Sequence, residues 1–198
     1  MKNKIVVMGL TLLLLMMLPL GVLAGENLIS NGDFSQLDDS GLPVGWTYAA
    51  WNSEETVSTY WTETGEDGGT VVRLENFSEN DARLEQQVAV KGNSLYHTSA
   101  RVKAEGGDPN FIGANISVSD TLAVSGDWTD TDGQWETVEL YGKTGFFQSS
   151  MVVALRVGYY GQENLGSAWF DGVVVEKVGS VPAGFDVQSL QDLPDSAS

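Results

Sequence analysis

In three segments of the chain, residues 95–103, 111–118 and 151–160, mostly apolar residues alternate with residues that are polar or small. Side chains alternate between the two faces of a β-strand, so this spacing separates a polar face from an apolar one. Arginine and asparagine donate paired hydrogen bonds to ligand oxygens, and a tyrosine ring can cover an apolar ligand face. If the three segments share a sheet, the spacing predicts one binding surface formed by His97, Arg101, Asn115, Arg156 and Tyr160.

Other interpretations of these residues stay open. In so acidic a chain, Arg101 and Arg156 can equally well pair with carboxylates at the surface. His97 is the one histidine, and no acidic residue lies near it in the sequence. The assignment of inner and outer faces could also be reversed. Tyr159 is expected to face the core and Tyr160 to stand at a strand end beside two glycines.

The residue types argue against catalysis. The chain has no cysteine and a single histidine, which gives poor support to thiol catalysis or to a histidine-based metal hydrolase. A glycosidase needs two carboxylates about 5 to 9.5 Å apart, and acids are abundant enough to allow that. The strand signatures of sandwich glucanases and alginate lyases are absent, however, so the sequence predicts a protein that is not an enzyme.

Composition and charge restrict the classes of molecule that the protein can bind. The 198 residues include 27 acidic and 10 basic side chains, for a formal net charge of −17, and 42% are hydrophobic. Such a chain can bury a core, so it is not a disordered acidic tail. Nucleic acids and anionic lipids need clustered Lys and Arg, so both are disfavoured as partners. The length suits one domain, and we expect a monomer.

The N-terminal residues 1–24 have the pattern of a secretory signal peptide. Lys2 and Lys4 precede an apolar run, and Val22-Leu23-Ala24 provides a small-x-small cleavage site. Cleavage after Ala24 would give a secreted protein, located outside the cell, on its surface or in a periplasm, with no membrane attachment. The alternative is an uncleaved anchor, because the apolar run approaches the roughly 20 residues that span a bilayer.

The remainder predicts an all-β domain over residues 25–180. Short runs rich in Val, Thr, Tyr and Trp are separated by Gly, Asn and Asp pairs, which is typical of antiparallel strands. About ten strands at this spacing favour a two-sheet antiparallel β-sandwich (jelly roll) over a closed barrel. Residues 181–198 lose the pattern and are predicted to be a linker or a disordered tail, which would suit a module of a larger secreted protein. We predict strands near residues 27–30, 46–51, 56–62, 70–76, 82–90, 94–104, 111–118, 134–142, 150–159 and 167–178.

Several motifs are similar to those of a known group of binding modules. Residues 27–34 (NLISNGDF) lead to residues 41–46 (GLPVGW), and residues 84–88 (LEQQV), 96–103 and 166–171 (GSAWFD) follow in order. This ordered set resembles carbohydrate-binding modules of the family 4, 9, 16 and 22 group, which have a jelly-roll fold. The resemblance implies non-catalytic binding of a polysaccharide or oligosaccharide. A structural or adhesive surface domain without glycan binding is the alternative.

The resemblance also suggests roles for the aromatic residues. In such modules, aromatics near loops and sheet edges line the binding cleft, so Trp51, Tyr60 and Trp61 are expected to stack on sugar rings. Ordinary packing in the sandwich is the alternative for each of them. Trp46, Trp135 and Trp169 are expected in the core. Arginines on the binding surface would favour acidic sugars such as uronates.

A structural calcium ion is the other feature that the resemblance implies. Calcium takes hard oxygen ligands in a flexible cage. Asp171 matches the aspartate of the group, whereas Ser35 and Gly172 stand where two further carboxylates are expected. Asp33 and Asp67 are the candidates to replace them.

Overall fold

The computed structural model describes residues 25–193, which form ten strands and no helix. The predicted signal peptide and the last five residues lie outside this range. No described segment forms a helix with the length and apolar character of a membrane span. The strands are Thr47–Ala50 (β1), Ser58–Thr64 (β2), Thr70–Asn80 (β3), Ala82–Ala89 (β4), Leu95–Glu105 (β5), Ala114–Val118 (β6), Glu136–Lys143 (β7), Ser150–Val157 (β8), Asn164–Val178 (β9) and Gln188–Ser189 (β10).

The strands form two sheets that pack as a sandwich, which confirms the predicted fold class. One sheet has four strands in the order β1-β4-β8-β6, and the other has six in the order β10-β7-β5-β9-β3-β2. Neighbouring strands are antiparallel, except that β10 runs parallel to β7. The connections cross repeatedly between the sheets, so strands that are adjacent in sequence, such as β5 and β6, lie in different sheets.

The inner faces of the two sheets form the hydrophobic core. Alternation on β5 buries Tyr96, Thr98, Ala100 and Val102, as predicted. The same rule holds on β6 and on most of β8, where the apolar residues face inward. Each fully buried aliphatic or aromatic side chain contributes about 1.5 to 3 kcal/mol to folding. The outer faces, the sheet edges and the loops therefore remain as the surfaces on which a site can be built.

Residues 27–30 do not form the predicted strand, yet they are firmly tied to the sandwich. The Asn27 side chain accepts hydrogen bonds from the amides of Ile29 and Val175 and donates one to the carbonyl of Val173. The buried Gln86 exchanges hydrogen bonds with the backbone of Ser30. Side chains satisfy this segment where a strand ladder would otherwise do so.

The C-terminal segment, predicted as a linker from residue 181 onward, packs in part on the domain. Strand β10 pairs with the end of β7, and the Leu190 side chain is buried against Gly142. The Gln188 side chain both donates to and accepts from the backbone of Val124. A two-residue strand with one apolar anchor is too short to give a sequence signal, so residues 188–190 belong to the folded domain against expectation.

Candidate functional site

The five polar residues predicted to share a surface lie on two opposite faces. His97 and Arg101 belong to β5 in the six-stranded sheet, whereas Asn115 and Arg156 belong to β6 and β8 in the four-stranded sheet. Alternation assigned inner and outer faces correctly within these strands, but it cannot tell which strands share a sheet. The predicted single surface is therefore wrong, and each face has to be considered separately.

On the four-stranded sheet, Arg156 forms a buried ion pair. The guanidinium is 0% exposed, and its Nε and Nη2 atoms donate to the two carboxylate oxygens of Asp81. Burial opposes the positive charge, but the hydrogen bonds and the charge of Asp81 outweigh it, so the pKa of Arg156 is raised. The rings of Tyr159 and Tyr160 lie over the guanidinium at 4.8 and 4.1 Å. Arg156 thus supports the surface from below and is not accessible to a ligand.

Asn115 is also buried rather than exposed. Its side-chain amide donates to the carbonyl oxygens of Gly113 and Gly158, at 2.9 and 3.0 Å. It lies directly opposite Arg156 in the β6–β8 register. These contacts hold the turn that follows β8, so Asn115 positions the neighbouring aromatic residues instead of meeting a ligand itself.

Two exposed rings flank the buried ion pair. Trp51 is 81% exposed directly after β1, and its backbone amide donates to the carbonyl of Asp81. Tyr160 is 44% exposed and covers Arg156, and its hydroxyl accepts a hydrogen bond from the Asp120 amide at 3.1 Å. Both predicted platforms are therefore connected to the same Asp81–Arg156 pair, one to each partner.

The turn that presents Tyr160 depends on Gly158. This glycine has φ of +92°, a conformation that L side chains rarely adopt, and it interrupts the alternation of β8. As a result both Tyr159 and Tyr160 contact Arg156 on the outer face, and the expectation that Tyr159 faces the core is wrong. Tyr159 is nevertheless buried, because its ring lies beneath Tyr160, at a centroid distance of 4.9 Å.

Polar groups extend from the ion pair along the outer face of β4. Arg83 Nε donates to Glu85 Oε1 at 2.7 Å, and the Ser119 hydroxyl donates to the same oxygen at 2.6 Å. Gln87 follows on the same face and is exposed. Small residues, Ala49 on β1 and Ala154 on β8, lie opposite Arg83 and Glu85. We call this surface the four-strand face, which consists of Trp51, Arg83, Glu85, Gln87 and Tyr160.

Sequence reasoning missed Asp81, Arg83 and Glu85. Arg83 and Glu85 lie within a predicted strand and Asp81 directly precedes it. Their spacing of two residues was a usable signal, because it puts the three charged side chains on one face. What the spacing could not show is that Asp81 meets Arg156, which is far away in the chain.

The outer face of the six-stranded sheet carries a different arrangement. Cations and tryptophan rings alternate across four strands and the segment before β7, with cation-to-ring distances from 4.7 to 5.6 Å. We call this the cation–aromatic ladder, and in order it consists of Trp61, Arg73, Trp169, Lys103, Trp135 and Arg101. Trp135 and Trp169 therefore lie outside the core in which they were expected, whereas Trp46 is in the core.

The residues of this sheet that were predicted to bind a ligand already contact other side chains of the protein. Trp61 contacts Arg73 and the edge of Phe77, and Tyr60 faces inward and packs on Tyr48. His97 lies between two carboxylates, with Nε2 3.0 Å from Glu139 and Nδ1 3.4 Å from Glu176. Tyr60, Trp61 and His97 belong to the six-stranded sheet. They are therefore not brought together with Trp51, which follows β1 of the other sheet.

The three aspartates proposed for calcium do not form one oxygen cage. Asp67 and Asp171 lie beside the same guanidinium, with Arg101 Nη1 4.0 and 3.0 Å from their carboxylates. Asp33 accepts hydrogen bonds from Ser35, and these hydrogen bonds lower its pKa. Among residues 25–193, no group of three or more His, Asp or Glu side chains is placed to hold a metal. The predicted donor set therefore does not fit calcium, because a cation of the chain itself already occupies the place between Asp67 and Asp171.

Comparison with known proteins shows a shared fold. No family model matches the chain, and no characterised protein matches it by sequence. Similar solved structures include the enzymatically active domain of tailspike protein 4 of bacteriophage CBA120, with 13% identity, a TM-score of 0.55, and coverage of 77% of this chain but 21% of that one. The arabinose-bound MgGH51 α-L-arabinofuranosidase has 10% identity and a TM-score of 0.55, with coverage of 78% and 27%.

Carbohydrate-binding modules of the group suggested by the motifs are among the structural neighbours. The CBM22-1 xylan-binding domain of Paenibacillus barcinonensis Xyn10C has 14% identity and a TM-score of 0.49, with coverage of 80% of this chain and 98% of that one. Modules described as CBM4 and CBM61 are found as well. At these identities the likeness concerns the β-sandwich alone, and function must be argued from the residues.

Proposed function

We propose that this domain binds a saccharide on the four-strand face without catalysing its cleavage. The observation that carries the proposal is a pair of exposed rings next to one buried ion pair. The Trp51 backbone amide donates to the Asp81 carbonyl, and the Tyr160 ring covers Arg156. An exposed tryptophan that contributes little to the core has no evident structural role here. Pyranose rings present an apolar C–H face that such a ring can cover.

The polar residues between the rings suit the rest of a sugar. Arg83, Glu85 and Gln87 carry donors and acceptors at every second position of β4, within reach of hydroxyl groups of a ligand lying along the strand. Arg83 and Arg156 are each already paired with a carboxylate. A neutral sugar therefore fits this face better than the uronates suggested by the number of arginines alone.

The same contacts argue for a binding role over a catalytic one. Glycoside hydrolysis needs one carboxyl that donates a proton and a second that acts as base or nucleophile. Asp81 is bound to Arg156, and Glu85 to Arg83 and Ser119. Neither of these acids stands unpaired beside Trp51 or Tyr160, so we assign both to positioning. Export from the cell and attachment to a larger protein remain part of the proposal.

A glycan array tests the proposal. The full chain is screened beside Trp51→Ala and the control Trp128→Ala, which removes another exposed tryptophan, away from the four-strand face. We expect wild type and Trp128→Ala to bind the same neutral glycans and Trp51→Ala to lose at least about ten-fold in affinity, the effect of one stacking ring. If the folded wild type binds no glycan, the domain is instead a structural or adhesive one.

A further inference from the structure

An exposed pair of phenylalanines forms the turn between β7 and β8, at one end of the sandwich. Phe146 is 73% exposed and Phe147 is 92% exposed. The two rings meet edge to face, with centroids 4.7 Å apart and an angle of 80° between their planes. We call this pair the phenylalanine tip. Exposed apolar side chains that lie in contact with one another form a contiguous patch, and such patches can serve as interaction sites.

Hydrogen bonds of the Gln148 side chain and a close backbone contact hold the turn of the phenylalanine tip in place. The Gln148 side chain accepts a hydrogen bond from the Gly145 amide and donates to the carbonyls of Ser150 and Leu190, at 2.8 to 3.0 Å. Gly92 lies so close to the turn that a Cβ there would be 2.1 Å from the Phe146 carbonyl oxygen. The rings are therefore presented by an ordered turn, which lowers the entropy cost of binding.

A cavity of about 360 Å³ adjoins the rings. It is lined by residues 145–148 together with Gln191 and Asp192. The Gln191 side chain packs against Gly145. The Gln191 backbone amide donates to the Ser189 hydroxyl. Within residues 25–193, no hydrogen bond or ion pair satisfies the side-chain amide of Gln191 or the carboxylate of Asp192. The cavity thus combines apolar ring faces with an amide and a carboxylate that are free to bind.

We propose that the phenylalanine tip and its cavity form a second saccharide site, separate from the four-strand face. The rings would cover the C–H face of a pyranose, while Gln191 and Asp192 would bind its hydroxyl groups. Asp192 disfavours acidic sugars, so the ligand is a neutral one. A net charge of −17 opposes an anionic membrane as the partner of the tip. The inference shares only its ligand class with the proposed function and involves none of the same residues.

Amide chemical shifts of the full ¹⁵N-labelled chain test the inference during titration with xylohexaose and with β-1,4-galactotriose. We expect the amides of Gly145, Phe147 and Gln191 to shift with one sugar, along a saturation curve of their own. Phe147→Ala should weaken this response about ten-fold. Phe77→Ala, which removes an exposed phenylalanine elsewhere, should leave it unchanged.

The readout separates the two proposals. Shifts at Glu85 and Ala154 with none at the tip would overturn the second site and leave the four-strand face in place. Shifts at the tip alone would support the second site and count against the four-strand face. If the tip amides respond to phosphatidylcholine vesicles or to protein concentration but to neither sugar, the tip is a lipid or self-association surface and the inference is wrong.

Discussion

Arg156 is the largest of the fully buried side chains, and it explains why the surface above it is ordered. A buried charge is costly unless it is paired and hydrogen-bonded. Here Asp81 supplies the opposite charge, and Tyr159 and Tyr160 supply ring faces that exclude water. The pair therefore joins β8 to the start of β4 and to the turn that carries Tyr160.

We predict that Arg156→Met is strongly destabilising, because it leaves Asp81 buried without its main partner. The expected loss is about 3 to 5 kcal/mol in the free energy of unfolding, measured by urea denaturation. Arg83 lies 3.9 Å from Asp81 and compensates only in part. The double variant Asp81→Leu/Arg156→Met should recover most of the stability. A loss below about 1 kcal/mol in the single variant would show that the pair is not structurally important.

Gly158 allows a second test of how the four-strand face is held in place. An alanine Cβ at this position would lie 2.4 Å from the Asn80 carbonyl oxygen, in a backbone conformation that alanine avoids. We expect Gly158→Ala to cost more than about 1 kcal/mol and to weaken saccharide binding by displacing Tyr160. Gly161→Ala is the control, because Gly161 lies in the same turn, also has a positive φ of +65°, but has open space around its Cβ position. The difference between the two variants therefore measures the contact with Asn80. Equal thermal stability of the two variants would contradict the role given to Gly158.

At the scale of elements, the cation–aromatic ladder connects the strands of the six-stranded sheet through their outer side chains. Cross-strand pairs of this kind stabilise a sheet in addition to its backbone hydrogen bonds. Lys103 is the central cation, 4.9 Å from the Trp169 ring and 5.6 Å from the Trp135 ring. Each such contact contributes about 0.5 to 1 kcal/mol at an exposed site.

Lys103→Met keeps the length of the side chain and removes its charge. We expect a loss of about 1 to 2 kcal/mol in the free energy of unfolding, from two cation–ring contacts. Chemical denaturation measures it, with Lys103→Arg as the variant that should keep most of the stability. If Lys103→Met is as stable as wild type, the ladder reflects proximity and not attraction.

The strands themselves were largely predictable, because alternation and turn residues are local signals. Nine of the predicted strands overlap observed ones, and the core-facing residues of β5 and β6 were assigned correctly. The assembly of the candidate site was not predictable in the same way. Whether Arg101 and Arg156 share a face depends on sheet order, and the burial of Arg156 depends on Asp81, a contact 75 residues away in the chain.

Local signals also explain the errors with aromatic residues. Trp135 and Trp169 were expected in the core because tryptophan is large and apolar, but here both rings meet cations on the outer face. The exposed pair Phe146–Phe147 follows a glycine in a turn, and the sequence alone gave no reason to single it out. Exposure is a property of the whole fold, so it could be recognised only in the structure.

For the molecule as a whole, buried and half-buried tyrosines make the folded state less stable at alkaline pH. Burial raises the pKa of Tyr48 and of Tyr159, and burial together with Glu139 and Glu176 raises that of Tyr141. The folded chain thus holds these protons more tightly than the unfolded chain does. Their contribution is complete below about pH 10, the ordinary tyrosine value, and is lost as the pH rises through the raised values.

We expect the urea midpoint to fall between about pH 9 and pH 11. Tyr141→Phe should reduce this fall, because it removes one of the hydroxyls whose pKa is raised by folding. The substitution itself should cost little stability, since within residues 25–193 the Tyr141 hydroxyl makes no hydrogen bond. A midpoint that falls equally in wild type and in the variant would assign the alkaline loss to other groups.

The two outer faces of the sandwich differ in whether the exposed tryptophan contacts another side chain. The four-strand face presents Trp51 with its ring free, whereas the six-stranded sheet presents Trp61 with its ring against Arg73. Isothermal titration of wild type, Trp51→Ala and Trp61→Ala with the glycan that binds best on the array therefore compares the two faces directly. We predict that Trp51→Ala loses binding and that Trp61→Ala, checked to be folded, retains it. Retention by Trp51→Ala with loss by Trp61→Ala would place the saccharide on the opposite sheet and contradict binding on the four-strand face.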